Sequence, residues 1–438
     1  MLKCHKKEGI NMEIMRIKVS AIHVAAYNPR RDLQPGDVEY EKLRESIETF
    51  GYIDPLIWNK QTGNLVGGHQ RLKILKGQGL EEVDVSVVDL PLDKEKLLNI
   101  ALNRIQGEWD EDKLAALLEE LGNVDMPDFD IKLTGFDMPE ISEILDRTSN
   151  PKEDNFDFDG EVEKIIEPIT KRGDVVRLGE HVLMCGDSAD PEDLKRLMGT
   201  DLASLLFTDP PYGIAYDQNS RPNGNHGAKK HSAGQKILHD DLSEEDYAKW
   251  IKTIFENMGA FLAPGAPIYI FNAHKQFAAM HAILTELGYY VSCVITWAKE
   301  RFAISFGDYH QQTEFLMYGW KAENGPHKWY GPTNESTLWE ISRDPTSTLQ
   351  HVTQKPVALS ARAIRNSSQR GDCVLELFGG SGSTLIGCEA LGRRCRCMEL
   401  SPAYCDGIVR RYISYIGKDK APKDLVERYI KEEAHANQ

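Results

Sequence analysis

The sequence has 438 residues, which is enough for two or three domains. Hydrophobic residues make up 41% and charged residues 27%, and no apolar run of about 18 residues appears, so we expect a soluble globular protein without a transmembrane helix. The net charge of −16 gives no general attraction to nucleic acid, but it does not exclude a local basic surface that binds DNA.

The cysteines and the amino terminus indicate the compartment. The eight cysteines are scattered and include no Cys-x-x-Cys pair, so no metal site is expected. The first residues include lysines but lack the apolar segment of a signal peptide. These features predict reduced thiols in a cytoplasmic protein.

Residues 16–147 have the pattern of one mixed unit. Their spacing predicts strands at 16–22, 56–58 and 83–88, and helices at 40–50, 114–121 and 139–145. Within this unit, Gly67, Gly68, His69, Gln70 and Arg71 follow a strand and open a helix. Glycines beside His and Arg at a helix start predict a candidate anion site.

The pattern changes after this unit. Residues 148–164 are polar and acidic, which predicts a linker. From residue 171 onward, strands are predicted at 174–178, 203–207, 267–271, 291–297, 315–318, 373–378 and 395–399, and helices at 244–258, 275–287, 356–367, 383–391 and 402–416. This alternation predicts a doubly wound, mostly parallel sheet, whose ligands bind beyond the carboxyl ends of the strands.

The strand at 203–207 runs into Asp209, Pro210, Pro211 and Tyr212. The prolines stiffen the turn and remove two backbone donors, while their carbonyls remain as acceptors. Asp209 and the carbonyl of Pro210 can each accept one hydrogen of an exocyclic amine, and Tyr212 can stack on a base. On its own, the motif is equally consistent with a rigid strand-to-loop turn.

The strand at 373–378 leads into a Gly-rich turn and a helix, through Phe378, Gly379, Gly380, Ser381, Gly382 and Ser383. Its glycines allow close approach of a ligand, although tight packing would explain them as well. The turn lacks the Lys of a phosphate-binding loop, so a nucleoside with a charged tail fits it better. The next strand ends in Glu399, the position at which an acid commonly binds ribose hydroxyls.

Together these motifs resemble those of the amino-group DNA methyltransferases, which modify the exocyclic amine of adenine or cytosine. DPPY at 209–212 matches their catalytic motif, and FGGSGST at 378–384 matches their cofactor loop. HVTQKP at 351–356 matches the segment before that loop, and GDS at 186–188 matches the segment ahead of the catalytic strand. The catalytic motif comes first, which is the beta arrangement of the family.

The resemblance implies a doubly wound, Rossmann-like methyltransferase sheet over residues 165–438, with S-adenosylmethionine as the cofactor. It implies that Asp209, Pro210, Pro211 and Tyr212 are catalytic. It also implies a cofactor site in which Asp187 contacts the adenine, Glu399 the ribose and Phe378 to Ser383 the methionine part, with Ser188, Asp209 and Lys355 in the same site. Two departures from the family pattern are Glu376-Leu377, where Asp-Pro is usual, and Ser383-Thr384, where Thr-Thr is usual.

Two segments between the motifs are candidates for DNA contact. Residues 217–234 are rich in Asn, Gly, His and Lys, which predicts a loop that becomes ordered on DNA. Residues 299–350 interleave basic and aromatic side chains, namely Arg301, Lys321, His327, Lys328, Trp329, Tyr330 and Arg343. This pattern predicts target recognition within 299–350, although a packed insertion would give the same composition.

The amino-terminal unit resembles the ParB/sulfiredoxin-like domain, on the basis of the GGHQR turn at 67–71. The resemblance implies a smaller α+β domain with a nucleotide or anion site at Gly67, Gly68, His69 and Arg71. Gln70 stands where that family usually has an arginine, and a DNA-docking module without chemistry is the alternative.

The sequence therefore predicts an adenine N6 methyltransferase that acts on double-stranded DNA with the target base rotated out of the helix, and it leaves a homodimer open. The alternative within the class is methylation of the cytosine N4 amine, which has the same geometry. The alternative from another class is a ParB-like DNA-binding protein with an inactive methyltransferase domain.

Overall fold

The computed structural model describes residues 13–103, 109–122, 134, 136, 138–148, 154–211, 242–303, 308–321, 326–341 and 355–430. The chain divides into two compact units, residues 1–150 and 151–438. Over the ranges described, we find no helix with the length and apolar character needed to cross a membrane.

The first unit is an α+β domain with a five-stranded mixed sheet. Its strands are β1 (Glu13–Lys18), β2 (His23–Val24), β3 (Leu56–Asn59), β4 (Asn64–Gly67) and β5 (Glu82–Val88), in the order β1-β5-β3-β4-β2. Its helices are α1 (Val38–Phe50), α2 (His69–Gly77), α3 (Leu92–Asn103), α4 (Glu111–Gly122) and α5 (Met138–Thr148).

Two small cores hold this unit together. One lies between the sheet and α2, where Leu56, Leu65 and Leu72 are buried. The other joins α3, α4 and α5 through the leucine stripe that the spacing predicted, which includes Leu114 and Leu118. Helical spacing places this stripe on one face of α4, so the helix buries it against its neighbours.

The second unit is built on a nine-stranded mixed sheet. Its strands are β6 (Val175–Leu178), β7 (His181–Cys185), β8 (Leu205–Thr208), β9 (Pro267–Asn272), β10 (Tyr289–Ala303), β11 (Gln311–Lys321), β12 (Leu338–Glu340), β13 (Cys373–Glu376) and β14 (Arg394–Glu399). The order is β12-β10-β11-β9-β8-β13-β14-β7-β6. The central strands β9, β8, β13, β14 and β7 are parallel, and antiparallel strands flank them on both sides.

Helices cover both faces of this sheet, as the doubly wound prediction requires. The helices are α6 (Phe158–Glu163), α7 (Pro191–Met198), α8 (Glu244–Met258), α9 (Phe277–Glu286), α10 (Val357–Ser367), α11 (Ser383–Leu391), α12 (Pro402–Ile416) and α13 (Lys423–Tyr429). Helices α7, α8 and α9 pack on one face, and α6 and α10 to α13 on the other. Buried strands with apolar residues on both faces require this two-sided cover, and the predicted fold class is confirmed.

The segment expected to be a linker differs from that expectation. Residues 158–163 form α6, whose Phe158 and Val162 are buried in the core of the second unit. Asp154 also pairs with Arg411 of α12, at 2.7 Å between Oδ2 and Nε. The acidic composition suggested solvent exposure, but the buried Phe158 and Val162 and one ion pair anchor the segment to the second unit.

Candidate active site

The carboxyl ends of three neighbouring parallel strands form one edge of the large sheet. Strand β13 lies between β8 and β14, with Val374 paired to Leu205 and Glu376 paired to Cys397. Asp209 directly follows β8, the Gly-rich loop follows β13, and Glu399 ends β14. The structure thus brings together three groups that are up to 190 positions apart in the sequence.

The turn after β8 holds Asp209 at the end of a fully buried strand. Pro210 is buried and Pro211 is half-buried, so the turn is fixed by packing as well as by its two rings. The carboxylate of Asp209 keeps 29% of its side-chain surface exposed. Tyr212 and the predicted DNA-ordered loop at 217–234 lie outside the described residues.

The Gly-rich loop leaves space at one position. Gly380 adopts a φ of 52°, and a Cβ added there would meet only the Phe378 carbonyl oxygen, at 3.9 Å. At Gly379, by contrast, an added Cβ would lie 2.7 Å from the Cys397 sulfur. Gly379 is therefore required by packing, while Gly380 borders open space in which a ligand could lie.

Glu399 turns its carboxylate towards this loop. Its Oε2 accepts a hydrogen bond from the Gly380 backbone N–H at 2.8 Å, and its Oε1 accepts from the Ser401 N–H at 2.8 Å. The residue is 8% exposed, and burial raises the pKa of its carboxyl to about 7. An acid held beside the loop in this way can accept hydroxyl hydrogens from a sugar.

The segment 186–188 joins the same edge. The Gly186 N–H donates to the carbonyl of Glu399 at 3.0 Å, which places Asp187 next to the end of β14. The Asp187 Oδ1 accepts from the Ala189 N–H at 2.9 Å. The hydroxyl of Ser188 donates to the Leu377 carbonyl at 2.6 Å, so this side chain ties the segment to the end of β13.

Glu376, which stands where the family usually has Asp, is buried and connects the turn to the loop by hydrogen bonds. Its carboxylate accepts hydrogen bonds from the Thr208 hydroxyl at 2.7 Å, the Phe378 N–H at 3.0 Å and the Thr384 hydroxyl at 2.8 Å. Burial raises the pKa of Glu376 to about 8, against the opposing effect of these three donors. Sequence reasoning noted this position as a departure but did not predict that it joins the two motifs.

Lys355 lies against Asp209. Its Nζ donates to Asp209 Oδ2 at 2.6 Å and lies 3.0 Å from Glu314 Oε2. Glu314 was not predicted as a site residue, although the alternation of β11 places it on the same face as the buried Leu316 and Tyr318. The signal that sequence reasoning could have used was a charged residue on the strand face where alternation predicts buried side chains.

Asn272 was also missed. It ends β9, and because Thr208 pairs with Ile270, Asn272 lies level with Pro210 on the neighbouring strand. It is 2% exposed, and within the described part of the chain neither atom of its amide has a hydrogen-bond partner. Leaving such a group unpaired costs about 1–3 kcal/mol, which is typical of a position that meets a ligand or an ordered water.

The structure does not bring the described basic and aromatic residues of 321–330 to Asp209. Trp320 pairs with Pro267 at the start of β9, whereas Phe315 pairs with Asn272 at its end. The two ends are five residues apart, or about 17 Å. Trp320 stacks on His327 with ring centroids 3.9 Å apart, so this group packs at the opposite edge of the sheet. Arg343 and the side chain of Arg301 lie outside the described residues.

In the first unit, the GGHQR turn forms the start of α2 as predicted. Gly68 caps the helix with a φ of 91°, in the left-handed region. Burial and the charge of the neighbouring Arg30 lower the pKa of His69 to about 4, and burial and the charge of Arg71 lower the pKa of Arg30. Arg71 also pairs with Asp54. Two guanidinium groups therefore lie near a helix amino terminus, the arrangement that favours an anion.

The second unit is thus an α/β domain in which the Asp209 turn, the Gly-rich loop and Glu399 lie at the carboxyl ends of neighbouring parallel strands. Residues 203–410 match the family model of N6/N4-type DNA methylases. Residues 4–104 match the ParB N-terminal domain, and residues 112–172 match a ParB-methyltransferase HTH domain. The helix-turn-helix was not predicted, although its helices α4 and α5 were.

Individual proteins are similar to about half of the chain. The type II methyltransferase M.HpaI of Haemophilus parainfluenzae is 27% identical over 262 residues, which covers 52% of this chain and 76% of that protein. The type II methyltransferase M2.MboI of Moraxella bovis is 24% identical over 229 residues, covering 48% and 80%. The crystal structure of M1.HpyAVI with S-adenosylmethionine is 22% identical and covers 52% of this chain and 98% of that chain, with a TM-score of 0.39.

The second unit is therefore a DNA methyltransferase domain of the family that methylates exocyclic base amines, and the first unit carries a ParB-like domain. The methyl donor of this family is S-adenosylmethionine.

Proposed function

We propose that this protein transfers a methyl group from S-adenosylmethionine to the N6 amine of adenine in double-stranded DNA. The observation that carries the proposal is the position of Asp209. Its carboxylate follows the central strand β8, is partly exposed, and lies one strand away from the Gly-rich loop of β13. Among the described residues of this edge, Asp209 alone combines an exposed carboxylate with a rigid double-proline turn.

The turn suits an amine because it offers acceptors and few donors. Asp209 and the Pro210 carbonyl can each accept one amine hydrogen, and Pro210 and Pro211 contribute no N–H that would compete. With both hydrogens held, the nitrogen lone pair can turn away from the ring and towards the methyl donor. Asn272, level with Pro210, is the candidate to hydrogen-bond the edge of the base, since an amide can both donate and accept.

The residues around the loop fit the cofactor. The space beside Gly380 can admit the methionine part, because no side chain of the described residues fills it. Glu399 can hold the ribose hydroxyls, since it ends β14, the strand next to β13, and Asp187 can hold the adenine, since it follows β7, the strand next to β14. The roles of Phe378 to Ser383 as the wall of this site, and of Ser188 in holding the loop, follow from the same arrangement.

When bound, the cofactor supplies an electrophilic methyl group on a sulfonium. The protein contributes alignment and electrostatics. The turn places the amine nitrogen, and the negative charge of Asp209 stabilises the positive charge that develops on nitrogen as its bond to carbon forms. One amine proton then leaves to solvent, which restores a neutral amine. Neither a protein-bound methyl group nor a side-chain nucleophile is needed.

Mass analysis of nucleosides separates this proposal from its rivals. DNA treated with the protein and S-adenosylmethionine should contain N6-methyladenine. N4-methylcytosine in its place would support the alternative within the family, whose geometry at Asp209 is the same. The absence of both modified bases from every DNA tested would support a DNA-binding protein with an inactive methyltransferase domain.

The first unit is proposed to bind a nucleotide through its phosphates. Gly67, Gly68, His69 and Arg71 surround the start of α2, with a second guanidinium from Arg30 nearby. Arg71→Ala should weaken binding of ribonucleoside triphosphates to the full chain in calorimetry, whereas Lys76→Ala, at the other end of the same helix, should not. Equal affinities for both variants and the parent would exclude the site.

A further inference from the structure

Four charged side chains alternate beside the proposed catalytic turn. Lys355 contacts both Asp209 and Glu314, as described above, and Lys299 forms a further ion pair with Glu314. The order along this charge chain is Asp209, Lys355, Glu314, Lys299. Its members come from the end of β8, the residue before the Pro356 cap of α10, strand β11 and strand β10. The chain of contacts therefore spans elements that are sequentially remote and converges on one carboxylate.

We infer that Lys355 is a positioning residue for Asp209, and that Glu314, by sharing Lys355, sets how tightly Lys355 holds that carboxylate. This inference rests on the proposed role of Asp209 as the acceptor of the target amine. It assigns Lys355 a task that acts through Asp209, where the sequence resemblance placed Lys355 in the cofactor site.

The first support is where Lys355 directs its charge. Its ammonium lies 4.7 Å from the centroid of the Phe271 ring, on the strand next to β8, so the ring restricts it from one side. The side chain of Lys355 is only 14% exposed. A lysine held between a ring and a carboxylate fixes the rotation of that carboxylate about its Cβ–Cγ bond, because one oxygen is bound at 2.6 Å.

The second support is the balance of charge. A lysine paired with Asp209 alone would neutralise the charge that must stabilise the developing positive charge on nitrogen. The ion pair with Glu314 offsets part of the positive charge of Lys355, and the ion pair with Lys299 offsets part of the negative charge of Glu314. Burial lowers the pKa of Lys355 while Asp209 and Glu314 raise it further, and the net direction is upward, so the lysine stays charged. Burial raises the pKa of Glu314 while Lys355 and Lys299 lower it, and the net direction is downward.

A purely structural role would not require this arrangement. A single pair would satisfy each buried charge, and replacing such pairs by apolar residues is often neutral or stabilising. Here, in the part of the chain that is described, one lysine serves two carboxylates at the edge where three ligand-binding elements meet. Glu376 of β13 also lies near Asp209, whose charge helps to raise the pKa of Glu376.

The test is the pH dependence of single-turnover methylation by the full chain, at saturating DNA and S-adenosylmethionine. The proposal expects activity to fall at low pH, where carboxylates lose their charge. Lys355→Met removes the positive charge that contacts the Asp209 carboxylate, so the acid limb of the rate profile should move to higher pH. Glu314→Gln removes the charge of the second carboxylate that Lys355 contacts, so the acid limb should move to lower pH. Lys355→Arg should keep the parent limb.

Lys299→Met is the matched control, because Lys299 is similarly buried but contacts Glu314 and is one carboxylate removed from Asp209. The acid limb of Lys299→Met should shift less than that of Lys355→Met. Equal shifts for the two variants, or no shift for Lys355→Met, would overturn the inference. A loss of cofactor affinity in Lys355→Met, with a normal rate at saturating cofactor, would also overturn it, since it would place Lys355 in the cofactor site.

The variants are informative only if folded, which thermal melts and calorimetric titration with S-adenosylmethionine would show. If Lys355→Met does not fold, the opposite shifts expected for Glu314→Gln and Lys299→Met decide the question. Failure of the proposed function is a different result. In that case Asp209→Asn would retain activity, whereas an inactive Asp209→Asn beside an unchanged Lys355→Met limb would remove only the inference about Lys355.

Discussion

Three buried or half-buried acids at one sheet edge have different environments and different tasks. Asp209 is partly exposed and meets a lysine, Glu376 is buried among three neutral donors, and Glu399 is buried beside the Gly-rich loop. Under the proposed function, the partly exposed Asp209 would accept the target amine and Glu399 would accept the hydroxyls of the cofactor sugar. Glu376 instead hydrogen-bonds groups of both motifs, Thr208 beside the turn and Phe378 in the loop.

The first prediction concerns Glu399, whose pKa lies at about 7. An ionised carboxylate accepts ribose hydroxyl hydrogens more strongly than a neutral one, so cofactor affinity should rise as the pH is raised from 6 to 8. Glu399→Gln should bind about 10- to 100-fold more weakly, because a hydrogen bond to a charged group contributes about 1.5–3 kcal/mol. Calorimetry across this pH range is the measurement. An affinity that is independent of pH in both proteins would contradict the assignment.

Sequence reasoning found the residues of the site that belong to local motifs. Asp209, the Gly-rich turn and Glu399 are marked by what stands next to them in the chain. The partners of these residues could not be predicted, because they are set by packing. The contact between Lys355 and Asp209 joins residues 146 positions apart, and the Thr208 contact of Glu376 joins residues 168 apart. Glu314 carries a charge directly before the apolar run 315–318 of its strand, but only the sheet register shows what it meets.

Among the elements, the loop after β13 combines a packing requirement with a ligand requirement. Gly380 has a φ of 52° and borders open space. Gly380→Val should abolish cofactor binding, because the added side chain fills that space and the backbone is strained. Gly371→Val is the matched control, since Gly371 also has a positive φ, of 82°, with nothing within 4 Å, but precedes the opposite end of β13.

Both variants should lose a similar amount of thermal stability, of about 1–2 kcal/mol, because the left-handed backbone disfavours a β-branched residue in each. Only Gly380→Val should lose calorimetric binding of S-adenosylmethionine. Retained binding in Gly380→Val, or lost binding in both variants, would show that the space beside Gly380 is not the cofactor site.

Most elements were predictable because apolar periodicity fixed them. The boundaries of α8, α11 and α12 match the predicted ones. Strand β7 and helix α7 were not predicted, and β10 and β11 run longer than the apolar pattern suggested. Pairing between β10 and β11 extends both strands beyond their apolar residues, and a single sequence does not show that pairing. The location of target recognition within residues 299–350 stays a prediction.

At the scale of the molecule, the boundary of the methyltransferase unit is set by α6 and the Asp154–Arg411 pair. A fragment of residues 165–438 would lose both, and the buried Arg411 would lose the Asp154 carboxylate while it keeps the Ser381 carbonyl. Removing one partner of a buried pair costs about 3–5 kcal/mol. We therefore expect 165–438 to melt at a lower temperature than 151–438. Asp154→Asn in the full chain should reproduce part of this loss, and equal melting temperatures for the two fragments would contradict it.

The ParB-like unit and the helix-turn-helix model at 112–172 suggest a role in holding DNA. The fragment 151–438 should therefore methylate at a normal single-turnover rate when DNA is saturating, but it should need more DNA and lose less affinity with added salt, because fewer phosphate contacts remain. Titration of the fragment and the full chain at several salt concentrations is the measurement. An unchanged rate, affinity and salt dependence would mean that residues 1–150 have no such role.

The most direct test of the account is single-turnover methylation by Asp209→Asn and Asp209→Ala. Asparagine keeps the shape of the side chain but not its charge, and alanine removes the acceptor. Loss of an electrostatic contact to the transition state typically costs about 2.7–4 kcal/mol, or roughly 100- to 1000-fold in rate. Cofactor affinity should barely change, because Glu399 and the Gly-rich loop lie on other strands, and DNA affinity should persist, because phosphate contacts dominate it. The account predicts lost turnover with both binding steps retained, and a near-normal methylation rate in either variant would contradict it.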